Sequence, residues 1–168
     1  IMQAMQRTHR WAEKSRVVHT DTTQLMFGIV QGGHDLKLRE QSAEFVTSLN
    51  FDGYATGGLG VGESKEILHK IGEYTAERLP WSQPRYLMGI GSPEDLIQGV
   101  SGGYDLFDCS LPTRVARTGA FYKRDGRHDI TKTHFKSQEQ PLDTSCGCET
   151  CRCFSAGYIH HLFRSHEL

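Results

Sequence analysis

The sequence has no long apolar run. A helix that crosses a bilayer needs about 20 consecutive, mainly apolar residues, and every apolar stretch here is much shorter. The chain also lacks an opening segment in which an apolar run follows positive charges, the pattern of a secretion signal. These absences argue against a membrane or secreted protein, and we expect a cytoplasmic one.

An excess of charge of either sign is also missing. The 168 residues include 19 Lys and Arg against 20 Asp and Glu, a formal net charge of −1. A total this close to zero gives no sign of nucleic-acid binding, so any such surface must come from a local patch.

Short apolar strands instead alternate with helical stretches. After a helix predicted from Met2 to about Arg16, strands are predicted at 25–30, 51–55, 85–88 and 106–109, with helices at 36–49, 65–79 and 93–99. This alternation is typical of parallel βα units, which close into a (β/α)8 barrel or spread into a doubly wound sheet. No GxGxxG sequence opens a helix, which disfavours a dinucleotide site.

Four strands are half of a (β/α)8 barrel, which needs about 250 residues. The chain opens and closes inside predicted helices without a capping residue or a Gly or Pro stop, so we expect a fragment. The barrel units are assigned to residues 1–119. A β-hairpin at about 120–135, with its turn at 124–127, a Cys-rich loop at 141–153 and a helix from Phe154 to the end make up a second part, 120–168.

In either fold the active site lies at the C-terminal ends of the strands. Asp108 ends the fourth strand, where a carboxylate can act as base, metal ligand or nucleophile or simply cap the next turn. Gln31 with Gly32 and Gly33 follows the first strand, and 57–59 follow the second. Glycines there let a ligand approach the backbone, or only form tight turns.

Four of the five cysteines lie close together in the Cys-rich loop. The CxCxxC spacing of Cys146, Cys148 and Cys151 lets three thiolates converge on a tetrahedral zinc ion. We favour zinc over free thiols because the loop has few apolar residues to hold it. Cys153 is spare by this spacing, and the fourth ligand could be one of the histidines that follow, His160, His161 and His166.

Positive charge is concentrated between Arg114 and Lys136, where seven Lys or Arg accompany two acids and aromatic residues are interleaved. This stretch is either a phosphate-contacting surface or a solvated hairpin.

Six segments in this order resemble the tRNA-guanine transglycosylases (queuine tRNA-ribosyltransferases), and closely the bacterial type. They are FGIVQGG (27–33), FDGYATGGLGVGE (51–63), PRYLMGIG (84–91), DLFDCSLPTRVAR (105–117), CGCETC (146–151) and YIHHLFR (158–164). The resemblance covers nearly the whole chain. It implies the C-terminal half of a TIM barrel with an inserted hairpin and a zinc-binding subdomain.

The resemblance implies an enzyme of queuosine biosynthesis that exchanges the wobble guanine of tRNA for 7-aminomethyl-7-deazaguanine. Asp108 would be the nucleophile, forming a covalent aspartyl-ribose intermediate. Val61 fits bacterial-type members, which prefer this base. The alternative is a non-catalytic, zinc-containing tRNA-binding subunit of the same family, which would not need to keep Asp108.

The resemblance also implies the binding residues. Gln31 would hydrogen-bond the base, the backbone at Gly58 and Leu59 would read its edge, Met88 would pack on the ring face, and Tyr54 would form a wall.

Further contacts are implied outside the base pocket. Arg114 and Arg117 would contact the anticodon loop. A homodimer is expected, and Phe154, Tyr158 and His161 on the last helix would either contact the partner or belong to the core.

Parts of the family's site are not found in this sequence. Its base-recognising Asp, its general base and the aromatic residue over the base belong upstream of Ile1, and its fourth zinc ligand, a histidine, belongs beyond Leu168. The fragment alone is therefore expected to be inactive, with structural zinc held through Cys146, Cys148 and Cys151.

Overall fold

The computed structural model describes residues 1–167 and divides into two compact units, Ile1–Cys109 and Ser110 onward. This division falls earlier than the boundary expected after residue 119. The difference arises because the helix that follows Ser110 packs against the first strand of the second unit. Among the described residues, no helix is both long enough and apolar enough to span a bilayer.

The first unit is a mixed α/β structure around a parallel sheet. Its elements are α1 (Met2–Val18), β1 (Phe27–Val30), α2 (Leu36–Ser48), β2 (Gly53–Thr56), α3 (Lys65–Ala76), β3 (Arg85–Leu87), α4 (Pro93–Ser101) and β4 (Leu106–Phe107). The strands lie in the order β1-β2-β3-β4, and each pairs in parallel with the next. The predicted alternation and the parallel sheet are confirmed.

The first strand is shorter than predicted. The expected start at Leu25 is wrong, because Leu25 is exposed and the Met26 N–H donates to the Asp52 carboxylate at 2.8 Å. Strand pairing begins only at Phe27, opposite Gly53.

Local sequence signals set the helix starts. Side-chain oxygens of Asp35, Ser64 and Ser92 accept backbone N–H groups in the first turns of α2, α3 and α4. Such caps satisfy donors that a helix leaves without partners. The cap predicted at Ser92, followed by Pro93, is confirmed, with the Asp95 N–H donating to the Ser92 hydroxyl at 3.3 Å.

The two faces of the sheet differ because side chains alternate along each strand. Val30 and Tyr54 face α2 in a buried cluster, and Leu87 packs with Ile71 and Ile90 in a second. On the opposite face, Phe27 contacts Tyr86 edge to face, with ring centroids 6.4 Å apart. Residues that continue the face of Phe27 and Tyr86 beyond the strand ends form the candidate site.

The second unit contains α5 (Leu111–Arg117), β5 (Ala120–Lys123), β6 (Gly126–Asp129), a 3-10 helix (Thr133–Phe135), α6 (Glu149–Cys153) and α7 (Ala156–Arg164). β5 and β6 pair antiparallel, with Lys123 opposite Gly126. Ile130, Phe135 and Ala156 form a small buried core.

The prediction of one helix from Phe154 to the end is wrong. α7 begins at Ala156 because the Ser155 hydroxyl caps it, accepting the Tyr158 N–H at 3.1 Å. It ends at Arg164, and the last predicted helical residue, Leu168, lies outside the described residues. The expected Cys-rich loop also contains a helix, α6, which includes Cys151.

Candidate active site

Asp108 lies directly after β4, at the edge where all four parallel strands end. Its Oδ1 accepts the Tyr86 hydroxyl at 2.6 Å and the Gly89 N–H at 2.8 Å. The hydrogen bond from Tyr86, and then that from Gly89, lower the pKa of Asp108 below its ordinary value. The side chain is exposed. Asp108 is therefore an ionised, oriented carboxylate that a substrate can reach.

Tyr86 is a site residue that the sequence analysis missed. It lies on β3, beside β4, and on the same face as Met88 two residues later. The hydrogen bond to Asp108, followed by burial, raises the pKa of Tyr86, so its hydroxyl remains a donor at neutral pH. The sequence did carry a signal for Tyr86: a tyrosine stands two residues before Met88, on the strand next to the one that Asp108 follows.

Gln31 and the glycines after β2 lie in close contact. A Cβ on Gly57 would lie 2.8 Å from Gln31 Nε2, and a Cβ on Gly58 would lie 2.8 Å from Gln31 Oε1. Gly58 also has φ +71, which is unfavourable for residues with a side chain. The glycines are therefore required by the Gln31 amide as well as by the turn. A hollow of about 360 Å³ borders Gln31, Gly32, Gly33 and Gly58.

The other predicted base-contacting residues differ in position. Met88 follows β3 and is half-buried, and its N–H donates to the Thr56 carbonyl at 3.2 Å. The Leu59 side chain is buried in the core, so its backbone is the part adjacent to the glycine turn. Tyr54 is 2% exposed, faces α2, and its hydroxyl donates to the Thr47 carbonyl at 3.4 Å. The structure does not bring the Tyr54 ring to the edge with Asp108.

A second carboxylate, also missed, holds the turn after β2. Glu63 accepts the N–H groups of Gly60 and, at 3.1 Å, Val61. Burial raises the pKa of Glu63, but these backbone hydrogen bonds outweigh it and the net pKa is lowered. An ionised Glu63 therefore fixes the turn that begins at Gly57.

The two predicted RNA-contacting arginines lie on α5 of the second unit. Arg114 and Arg117 are both exposed and three residues apart, so they lie on one side of the helix. No salt bridge is formed by either guanidinium within residues 1–167. Both are therefore available to bind anions.

The three predicted metal ligands come together. The sulfurs of these residues, Cys146, Cys148 and Cys151, all lie within 4.8 Å of one another, and all three are free thiols. Tetrahedral zinc at a Zn–S distance of about 2.3 Å needs sulfurs about 3.8 Å apart, a separation that this grouping of the three sulfurs can accommodate. Cys153 is exposed and is not part of the group.

The candidate histidines do not join this group in the described part of the chain. His160 is buried and its Nδ1 donates to the Ile130 carbonyl at 2.7 Å. It therefore has a structural partner inside the second unit.

Comparison with known proteins identifies relatives along the whole chain. A sequence model of the family described as Queuine tRNA-ribosyltransferase matches residues 1–168. A protein named Queuine tRNA-ribosyltransferase from Dehalococcoides mccartyi strain BAV1 is 53% identical over the whole chain, which covers 43% of that relative. A protein of the same name from Aliivibrio fischeri strain MJ11 is 48% identical over 98% of the chain, which covers 44% of that relative. A protein of the same name from Herpetosiphon aurantiacus is 47% identical over 98% of the chain and 42% of its own length. The chain thus spans less than half the length of these curated relatives.

Proposed function

We propose that this chain, which belongs to the queuine tRNA-ribosyltransferase family, supplies the nucleophile and half of the base pocket of a tRNA-guanine transglycosylase. The observation that carries the proposal is Asp108, which is exposed, ionised and oriented by Tyr86 and Gly89. Gln31 and its glycine turns lie at the end of other strands of the same sheet.

The proposed reaction is a double displacement. An Asp108 carboxylate oxygen attacks the anomeric carbon of the wobble nucleoside, the bond to guanine breaks, and guanine leaves with a proton from a general acid. The incoming 7-aminomethyl-7-deazaguanine then loses a proton and its ring nitrogen attacks the same carbon, which releases Asp108. Dividing one exchange into two displacements lowers each barrier and retains the anomeric configuration.

The base would lie between the ends of β1, β2 and β3. The Gln31 amide and the backbone at Gly58 and Leu59 offer hydrogen-bonding groups for the polar edge of a purine, and the Met88 thioether offers an apolar contact for its face. Tyr54 was expected to be a wall of this pocket. Its burial against α2 favours a role in supporting β2 from behind.

The second unit would contact tRNA and hold zinc. Exposed Arg114 and Arg117 suit the phosphates of the anticodon loop. A structural Zn²⁺ ion would be held by Cys146, Cys148 and Cys151, cross-linking a segment with little apolar core.

We further propose that the parallel sheet is half of a TIM barrel and that the complete protein is a cytoplasmic homodimer. Phe154 and Tyr158 support the dimer, because both rings are exposed and stack with centroids 5.4 Å apart. In the full-length protein, Tyr158→Ala is expected to weaken dimerisation in sedimentation velocity. An undisturbed dimer would argue against this contact.

The decisive experiment uses the full-length protein. It is incubated with tRNA and a 7-deazaguanine base, and a denaturing gel is run to detect a protein–RNA adduct. We expect an adduct that disappears in Asp108→Asn, together with base exchange. Asp52→Asn is the control, since that carboxylate binds the Met26 N–H away from the site. Bound tRNA with neither adduct nor exchange would favour the non-catalytic tRNA-binding subunit.

A further inference from the structure

Two polar side chains of α2 are completely buried beside the segment that carries Gln31. Arg39 and Ser42 are both 0% exposed, and their spacing of three residues places them on one side of the helix. A buried guanidinium is costly unless its donors are satisfied. The cost calls for a specific role at this position.

Arg39 and Ser42 make three hydrogen bonds to the backbone around Gln31, two as donor and one as acceptor. Arg39 Nη1 donates to the Val30 carbonyl at 3.2 Å, and Arg39 Nε donates to the Gly33 carbonyl at 2.8 Å. The Gln31 N–H donates to the Ser42 hydroxyl at 3.0 Å. The backbone before, at and after Gln31 is therefore held by α2.

The same guanidinium reaches the turn after β2. The Val30 carbonyl also accepts the Gly57 N–H at 3.1 Å. Arg39 Nη2 is buried and has no hydrogen-bond partner among the described residues, and a Cβ on Gly58 would lie 3.8 Å from it. Arg39 thus spans the two turns whose contact forms the candidate base site.

The charge state of Arg39 supports this role. Burial lowers the pKa of Arg39 to about 10, while Tyr104 and Glu63 act in the opposite direction, so the guanidinium is cationic at neutral pH. Glu63 itself holds the later part of the turn after β2. Glu63 thus holds the later part of that turn directly, and Arg39 acts on its start through the Val30 carbonyl that it shares with the Gly57 N–H.

Ser42 extends the support to α1. Because the Ser42 hydroxyl oxygen accepts the Gln31 N–H, its proton is free to be donated to His9 Nε2, 3.0 Å away. His9 stacks on Phe45 of α2, with ring centroids 4.3 Å apart. The Gln31 backbone is thus tied through Ser42 to a second helix.

We propose that Arg39 and Ser42 are positioning residues for base recognition, which fix the Gln31 amide against Gly58 without touching the base. The inference rests on the proposed function of this site. The affinity for the base would then depend on the fork of paired hydrogen bonds that the Arg39 guanidinium donates to the backbone on either side of Gln31.

The test is steady-state base exchange by full-length Arg39→Met, which keeps an unbranched apolar stem but removes the donors. We expect the KM for the base to rise about tenfold, equivalent to one hydrogen bond to a charged group. The KM for tRNA is expected to stay within about twofold, since the phosphate contacts are unaffected.

Arg85→Met is the matched control. Arg85 is also buried, at 3% exposure, and its Nη1 donates to the Ala76 carbonyl at 3.4 Å, but it starts β3 at the opposite end of the strand. We expect this variant to lose thermal stability and keep the parent's KM for the base. Equal losses of stability in Arg39→Met and Arg85→Met, with neither changing the KM for the base, would overturn the inference.

Two further variants separate charge, geometry and folding. Arg39→Lys keeps the charge, but one ammonium group cannot replace the fork, so we expect the KM for the base to stay raised; the parent's value would overturn the role of the fork. Ser42→Ala removes one oxygen and is expected to speed hydrogen exchange at the Gln31 amide. Unchanged protection there would also overturn the inference. If the unvaried protein exchanges no base, the proposed function fails and this inference fails with it.

Discussion

Tyr86→Phe tests how the candidate nucleophile is controlled. The substitution removes only the hydroxyl, which donates to Asp108 Oδ1 at 2.6 Å, and leaves the ring contact with Phe27. The Gly89 N–H still holds the same oxygen at 2.8 Å. One of two orienting hydrogen bonds is therefore lost while the packing is kept.

The sign and size of the effect follow from this contact. The hydrogen bond from Tyr86 lowers the pKa of Asp108, and the ionised form would be the nucleophile of the proposed reaction. Without the hydroxyl the pKa rises, so the acidic limb of the profile of kcat/KM against pH moves to higher pH. On the plateau, losing one solvent-exposed hydrogen bond of about 0.5–1.5 kcal/mol lowers the rate about two- to tenfold.

The assay is exchange of radiolabelled base into tRNA across the pH range, with full-length protein. Tyr74→Phe is the control and is expected to change neither limb nor plateau, because that ring, on α3, stacks under Arg78 with its centroid 3.3 Å from the guanidinium carbon. A Tyr86→Phe profile with a lower plateau and an unmoved acidic limb would refute the electrostatic role and leave only the role of the hydrogen bond in orienting Asp108.

Three further variants test other parts of the molecule. Gly58→Ala combines φ +71 with a Cβ 2.8 Å from the Gln31 amide, so the KM for the base should rise at least about tenfold. Gly62→Ala carries the backbone strain of φ +123 but has open space around its Cβ, so it should raise the KM less; equal values in both would contradict the collision argument. Cys148→Ser is expected to abolish binding of one zinc ion per chain, measured by elemental analysis, and Cys153→Ser to retain it; zinc retained by Cys148→Ser would remove that sulfur from the ligand set. Asp95→Asn breaks an ion pair and hydrogen bonds with two basic side chains of α3 and should destabilise the protein by about 1–3 kcal/mol in urea at neutral pH. Burial raises the pKa of the Asp95 carboxyl, but its hydrogen bonds outweigh this and the net pKa is lowered. Its contribution to stability is therefore fully present above the unfolded pKa of about 3.9 and is lost as the pH falls through the lower pKa of the folded state. A difference in stability between variant and parent that persists in acid would contradict this assignment.

Much of the local structure could be predicted because its signals are local. Ser92 before Pro93 specifies a helix start, and the apolar runs between glycine turns specify buried parallel strands. The errors occurred where a tertiary contact or a single cap decided the boundary. Leu25 is outside β1 because Asp52 takes the next N–H, and Ser155 starts α7 two residues later than the apolar pattern indicated.

The sequence by itself determined the family, the positions of Asp108 and Gln31 at strand ends, and the Cys146–Cys151 cluster, since each depends on residue type and short spacing. Only the tertiary structure decided which groups surround them. Tyr86 reaches Asp108, and Arg39 lies beside both turns of the candidate base site, across neighbouring strands and helices. Tyr54 is directed to the helix side because strand alternation and packing, which no short motif specifies, set the direction of each side chain.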